Sequence, residues 1–200
     1  RGGLAMLALK LSDLRLWDIS APNLYSLKLS LGDDCAESYF GMRSVTFYDK
    51  KFYLNNKSVF QRLVLDQGFY PDGIYTAASD DNLKRDIELS MAMGFNGARL
   101  HQKIFEPRFL YYCDLYGYMV WDEMGNWGLD VSRHTAVRAY ASEWLEVLQR
   151  DYNHPAVIGW CPFNETSSGQ DPVLIRTIYR MTKAFDKMRP VIDCSGVGYA

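Results

Sequence analysis

Residues 94–123 read GFNGARLHQKIFEPRFLYYCDLYGYMVWDE, and their order decides the fold. Gly97 to Leu100 has the length of a short strand. Pro107 suits the first turn of a helix, where its missing N–H costs nothing, and Phe109, Cys113 and Tyr116 then recur at helical spacing until Gly117 stops the run. Tyr118 to Trp121 is the next strand, ending in the acidic pair Asp122-Glu123. Strand, helix and strand in that order predict a parallel β-α-β unit.

The same alternation extends both ways. Upstream, Arg62 to Asp66 reads as a strand, and Ser79 or Asp80 caps a helix carrying Leu83, Ile87 and Met91, with Gly94 as its stop. Downstream, a helix from Thr135 to about Tyr152 offers Val137, Tyr140, Trp144 and Leu148 to a core, and Val157 to Cys161 follows as a strand. Asp171-Pro172 caps a helix with Leu174, Ile178, Met181 and Phe185 inward, and Arg189-Pro190 leads into a fifth strand, Val191 to Cys194. No GxGxxG or GxxxxGK loop follows any strand, which argues against nucleotide-binding doubly wound folds. In a (β/α)8 barrel, chemistry sits just past the C-terminal strand ends. Three such ends are polar here: Asp66-Gln67, Asp122-Glu123 and Asn164-Glu165.

Before residue 49 the period is two. In Tyr25 to Leu31, YSLKLSL, Tyr25, Leu27, Leu29 and Leu31 share one face, the pattern of a half-buried strand. Gly32-Asp33-Asp34 turns the chain, Cys35–Phe40 and Ser44–Tyr48 continue as strands, and Leu54-Asn55-Asn56-Lys57 reads as a tight hairpin turn. Residues 1–48 are therefore expected to be the later strands of an antiparallel sandwich.

Composition excludes several classes of function. Of 200 residues, 48% are apolar and 14% aromatic, enough for a real core. With 22 Lys and Arg against 24 Asp and Glu, the formal charge is −2, so nothing suggests a nucleic-acid footprint or an anionic membrane surface. No apolar run nears the about 20 residues of a membrane span. Leu4 to Leu9 is broken by Lys10 and Asp13 and reads as core sequence, not a signal peptide. The start at Arg1 suggests a piece of something longer. Cys35, Cys113, Cys161 and Cys194 form no CxxC pair and read as small buried hydrophobes, so a reducing, cytoplasmic setting is the expectation.

Arg150 to Glu165, RDYNHPAVIGWCPFNE, resembles the acid/base signature of glycoside hydrolase family 2, the family of β-galactosidases, β-glucuronidases and β-mannosidases. Further segments match in the same order: LWDISAPNLYSLKL from Leu16, FGMRSVTF from Phe40, QRLVLDQGFYPDG after the Asn55-Asn56-Lys57 turn, GFNGARLH, CDLYGYMVWDE, and DKMRPV from Asp186. The resemblance implies the end of an immunoglobulin-like β-sandwich over residues 1–48. An incomplete (β/α)8 TIM barrel of about five of its eight strands then follows over residues 49–200. The family's jelly-roll domain and the last three barrel strands would lie outside these residues.

The implied chemistry is retaining β-glycoside hydrolysis, which needs two carboxyl groups about 5–5.5 Å apart. The resemblance makes Glu165 the acid and then the base, and Asn164 the amide that holds the sugar 2-hydroxyl; without it, Glu165 reads equally well as a loop glutamate capping the next helix. An acid of this kind wants apolar surroundings, and Trp160 and Phe163 are the candidates. The family's nucleophile, a glutamate after the seventh strand, is expected outside these residues, leaving the chain alone inactive. Arg99 resembles the arginine that supports the nucleophile, or is a buried ion-pair partner; His101 is a pocket histidine or a structural one. Asp66 stands where relatives hold sugar, although this chain has LDQG there. Glu123 is expected as a scaffold carboxylate diverging from Asp122, and Trp121 and Trp127 as rings to stack on sugar or as core. The loop Met124 to Gly128 has no carboxylate or histidine, so neither a metal nor another cofactor is expected. The expected partners are a carbohydrate substrate, the missing half of the barrel and, as an open option, a second copy of the chain. The rival reading is a carbohydrate-binding protein or pseudoenzyme on the same fold.

Overall fold

The computed structural model describes residues 6–130, 134–166 and 171–196. Its first elements are antiparallel pairs: β1 (Trp17–Asp18) with β2 (Ala21–Pro22), and β3 (Tyr25–Leu31) with β4 (Asp34–Phe40). The alternation in β3 is present, but only Tyr25 and Leu27 are half-buried. Leu29 is exposed, and Leu31 is exposed at 85%. Among the described residues no second sheet lies over this hairpin. The period of two fixed which side chains share a face without burying that face.

Next, β5 (Val45–Tyr48), β6 (Lys51–Leu54) and β7 (Lys57–Ser58) form a three-stranded sheet. Asn55 and Asn56 both take positive φ, 51° and 63°, as a two-residue I′ hairpin turn requires and asparagine tolerates. Tyr48 pairs with Lys51, so the boundary set at residue 48 cuts through this sheet. Between Phe40 and Val45 the chain runs outside these ladders, with Met42 bridging Leu16.

The barrel strands are β8 (Leu63–Asp66), β9 (Gly97–Leu100), β10 (Met119–Glu123) and β11 (Val157–Cys161), parallel and adjacent in chain order. Between them run α1 (Asp80–Ala92), α2 (Pro107–Tyr116) and α3 (His134–Asp151), and α4 (Pro172–Phe185) follows β11. Four strands in sequence order, each joined to the next by a helix, make an arc of a (β/α) barrel. α1 buries Leu83 and Ile87, each worth about 1.5–3 kcal/mol, while Met91 stays partly open. Gly117 ends α2 in the left-handed conformation, φ 71°, and the Asp171 carboxylate caps α4 through the Val173 amide.

The fifth strand does not form as a ladder. Val191 bridges Trp160 and Ser195 bridges Asn164, but nothing pairs between them. Pro162 has no N–H to give, its carbonyl is taken by the Tyr140 hydroxyl, and the Cys194 amide turns to the Asp193 side chain instead. A proline at the middle of β11's extension therefore splits the pairing in two.

Arg43 joins the N-terminal segment to the start of β11, donating to the carbonyls of Pro155 and Val157 at 2.9 and 2.7 Å. Three of the four cysteines are buried as expected; Cys35, in the projecting hairpin, is exposed. Among the described residues no helix is long and apolar enough to cross a membrane.

Candidate active site

Strand pleating separates the acidic pair at the end of β10. Glu123 turns to the interior of the arc, and Asp122 to the α3 side. Glu123 is fully buried; its Oε2 lies 2.9 Å from Arg99 Nε, an ion pair by distance rather than an aligned hydrogen bond. Its Oε1 accepts the Gln102 amide at 3.1 Å, and the Ser195 hydroxyl stands 3.4 Å from Oε2. Arg99 Nη2 then donates to Asn164 Oδ1 at 2.9 Å, and Ser195 Oγ donates to the same oxygen at 2.8 Å. Two donors on Oδ1 fix the orientation of the Asn164 amide. Its Nδ2 is buried and meets no acceptor among the described residues. Left so, a buried donor costs about 1–3 kcal/mol, which a hydroxyl from a ligand would recover.

Two further side-chain amides hold Asn164 from behind. Asn126 accepts from the Asn164 amide at 2.8 Å and donates to its carbonyl at 3.0 Å, as a neighbouring strand would. Gln102 does the same for the 126–127 turn, accepting the amides of Asn126 and Trp127 and donating to Asn126 Oδ1. Gly125 permits the approach, since a Cβ there would lie 2.8 Å from the Gln102 carbonyl. Neither amide was singled out from the sequence, nor was Ser195.

Glu165 follows with φ 47°, and its amide donates to the Ser195 carbonyl at 2.8 Å. A left-handed glutamate is uncommon, and this one is held by bridge pairing on a strand extension. Its side chain is exposed at the C-terminal end of the arc, lying against Gly196, where a Cβ would come within 2.8 Å of Glu165 Cγ. Trp160 and Phe163 do not surround it. Trp160 donates to Asp186 and packs edge-on against Trp144, and Phe163 stacks on Tyr140.

The other sequence candidates divide. Asp66 ends β8 with its carboxylate on the Gly68 amide at 2.8 Å, and burial pushes its carboxyl above the ordinary aspartate value against that bond. His101 is buried beside it, Nδ1 3.1 Å from Gln67 Nε2 and edge-on to Trp127. Trp121 lies one layer lower in the arc, bonded to Gln61 and pressed against Gly159, and it lines a cavity of about 390 Å³ shared with Phe47 and Phe52. That is beneath the strand ends, not at them. Trp127, in contrast, is exposed at the strand ends, its Nε1 donating to the Asn164 carbonyl at 3.2 Å.

Asp122 faces Asp151 across the β10–α3 contact. Burial and the Asp151 charge hold its carboxyl protonated far above the usual range. Arg150 braces Asp151 at 2.7 Å.

The chain resembles known proteins along nearly its whole length. The model of the glycosyl hydrolases family 2 TIM barrel domain matches residues 45–199. A Vibrio vulnificus protein named beta-galactosidase is 32% identical over 92% of this chain, and a putative beta-glucuronidase of Formosa agariphila is 33% identical over 76% of it. The chain spans only 19% of the length of each of these two. Among solved structures, a beta-glucuronidase from Parabacteroides merdae superposes with a TM-score of 0.81 at 26% identity, covering 92% of this chain and 25% of that one. With that family model matching well over half of its residues, the chain belongs to glycosyl hydrolase family 2 and contains part of its TIM-barrel domain.

Proposed function

We propose that these residues are the acid/base side of a retaining exo-β-glycosidase cutting β-linked sugars. The observation that supports this most is Asn164: its oxygen is fixed by Arg99 and Ser195, while its buried Nδ2, next to the exposed Glu165, meets no acceptor among the described residues. Glu165 gives its proton to the glycosidic oxygen as the C–O bond breaks and a second carboxylate bonds the anomeric carbon. It then takes a proton from water, whose oxygen displaces that carboxylate. The second carboxylate is not Glu123, which is buried on Arg99 and Gln102, nor Asp122, which faces Asp151. It comes from beyond the described residues, and the chain alone is inactive. The relatives' names, beta-galactosidase and beta-glucuronidase, make those two glycosides the first substrates to try. The projecting β3–β4 hairpin, apolar on one face, fits the last strands of an immunoglobulin-like sandwich. Cysteines spaced singly along the sequence, with no CxxC pair, fit a cytoplasmic site.

The test uses the complete protein that carries these residues, with chromogenic β-galactosides, β-glucuronides and β-mannosides. Glu165→Gln is expected to lower turnover about 10²–10⁴-fold. Azide, which attacks the glycosyl-enzyme without needing a base, is expected to restore part of it. Unchanged turnover in Glu165→Gln sinks the assignment, and no hydrolysis by the unsubstituted protein favours a carbohydrate-binding or pseudoenzyme role.

A further inference from the structure

The loop between β8 and α1 is held in a costly shape. Ile74 is β-branched yet sits at φ 55°, paired with Tyr70 by two backbone hydrogen bonds of 2.8 and 2.9 Å. Such strain persists only where the surroundings over-determine it. Here the surroundings are Lys103, just past β9 and only 5% exposed. Its ammonium donates to the Gly68 carbonyl at 2.6 Å and the Tyr75 carbonyl at 2.8 Å, and lies 4.6 Å from the Tyr75 ring centre and 4.8 Å from that of Phe105. A Cβ at Gly68 would fall 2.7 Å from that nitrogen, so the glycine is what lets the ammonium in. Both ends of the loop's tight bend are thus fastened by one buried cation, which burial makes less basic than an ordinary lysine.

That bend presents Phe69 and Tyr75, a T-shaped pair 5.3 Å apart, and both rings are left open, 61% and 48% exposed. Trp127 is 59% exposed, although its indole is fixed by Asn164 and by the edge of His101. Between them lies a cavity of about 160 Å³ that Gln67, His101 and Lys103 also line. Three large rings, anchored yet open among the described residues, surround a small hollow that also carries amide and imidazole groups, the lining of a ligand site. They suit a flat ligand with one apolar face and a hydroxylated edge. The Lys103 ammonium places two of its three N–H groups on carbonyls and packs among the Tyr75 and Phe105 rings, so the open part of the hollow offers chiefly aromatic faces with amide and imidazole groups.

We propose that this hollow is a subsite that stacks one sugar ring of the substrate between Trp127 and the Phe69–Tyr75 pair, with Lys103 as the positioning residue that holds its loop. The proposal rests on the glycosidase reading above. It is tested in the complete protein with Glu165→Gln, titrated calorimetrically with methyl β-galactoside, methyl β-glucuronide and methyl β-mannoside. At least one glycoside is expected to bind. Trp127→Ala and Phe69→Ala, both at exposed positions, are expected to weaken that binding about tenfold, with Trp127→Phe keeping most of it. In the protein with Glu165 intact, the same alanine variants should raise KM far more than they lower kcat, as lost ground-state stacking does. Lys103→Met should weaken binding and open the 67–76 segment to protease. Undiminished binding in both alanine variants overturns the subsite and leaves the role of Glu165 standing. Binding by none of the three glycosides overturns both.

Discussion

Arg99 is the residue on which the site's geometry turns, because its guanidinium ties the buried Glu123 carboxylate to the Asn164 amide. Arg99→Met keeps the bulk of the stem but strands Glu123 as a buried charge. A loss of about 3–5 kcal/mol of stability is expected, read as a fall in the urea midpoint. Activity of the complete protein should fall further than stability explains, since Asn164 loses one of its two fixing donors. Arg99, Glu123, Asn164 and Glu165 were legible in the sequence because each lies at or just past a strand whose apolar pattern locates it. Gln102, Asn126, Lys103 and Ser195 were not. They act from loops through their side-chain bonds, and no periodicity marks an amide that mimics a strand partner. Trp121 misled because position along a strand gives its face but not its depth in the arc.

Between elements, the Asp122–Asp151 contact makes the seam of β10 and α3 sensitive to pH. The native state keeps a proton on Asp122 that the unfolded chain releases above about pH 4, so the native state binds more protons and stability falls as pH rises. Asp122→Asn should be close to neutral at pH 4 and stabilising at pH 8, when both proteins are unfolded in urea at the two pH values. A steeper loss in the variant at pH 8 would mean that the pair is ionised and braced by Arg150 instead. Asp186 works in the other sense. Against its burial, hydrogen bonds from Arg189 and Trp160 hold its carboxyl down to about 2, so its contribution is present at neutral pH and lost on acidification. Helices and strands on either side of these contacts were readable from spacing alone, down to the Gly117 stop. The missing ladder at Val191–Cys194 was not, because apolar composition predicts a strand while Pro162 and the Tyr140 hydroxyl, distant in sequence, remove its hydrogen bonds.

Over the whole molecule, the arc leaves the outer edge of β8 without a partner strand among the described residues, and Leu65, halfway along it, is exposed. An unpaired edge beside an apolar side chain recruits another strand. The chain expressed alone is expected to self-associate as its concentration rises, measured by light scattering after gel filtration, and the complete protein is expected not to do so through this edge. A chain that stays monomeric at high concentration would show that β8 is covered by other means. At the opposite end, Asp114 joins three parts of the chain: its carboxylate takes the Tyr39 hydroxyl, the His154 ring and the Ala156 amide. Its carbonyl takes the Trp17 indole. Such long-range junctions are invisible to local pattern, and so is the extent of burial: the β3 spacing gives a strand with one apolar face, of which only the Tyr25 and Leu27 end is half-buried.

The bridge between Asn164 and Ser195 also gives the molecule a built-in clock. The amides of Glu165 and Ser195 are both bonded within it, at 2.8 and 2.9 Å, on either side of the turn that sets the glutamate. Their hydrogens can leave for deuterium only when that turn opens, whereas the Cys194 amide between the two bridges donates to the side chain of its neighbour Asp193. The lifetimes of those two hydrogens therefore count how often the acid/base turn comes apart, in a protein at rest and with no sugar in the tube.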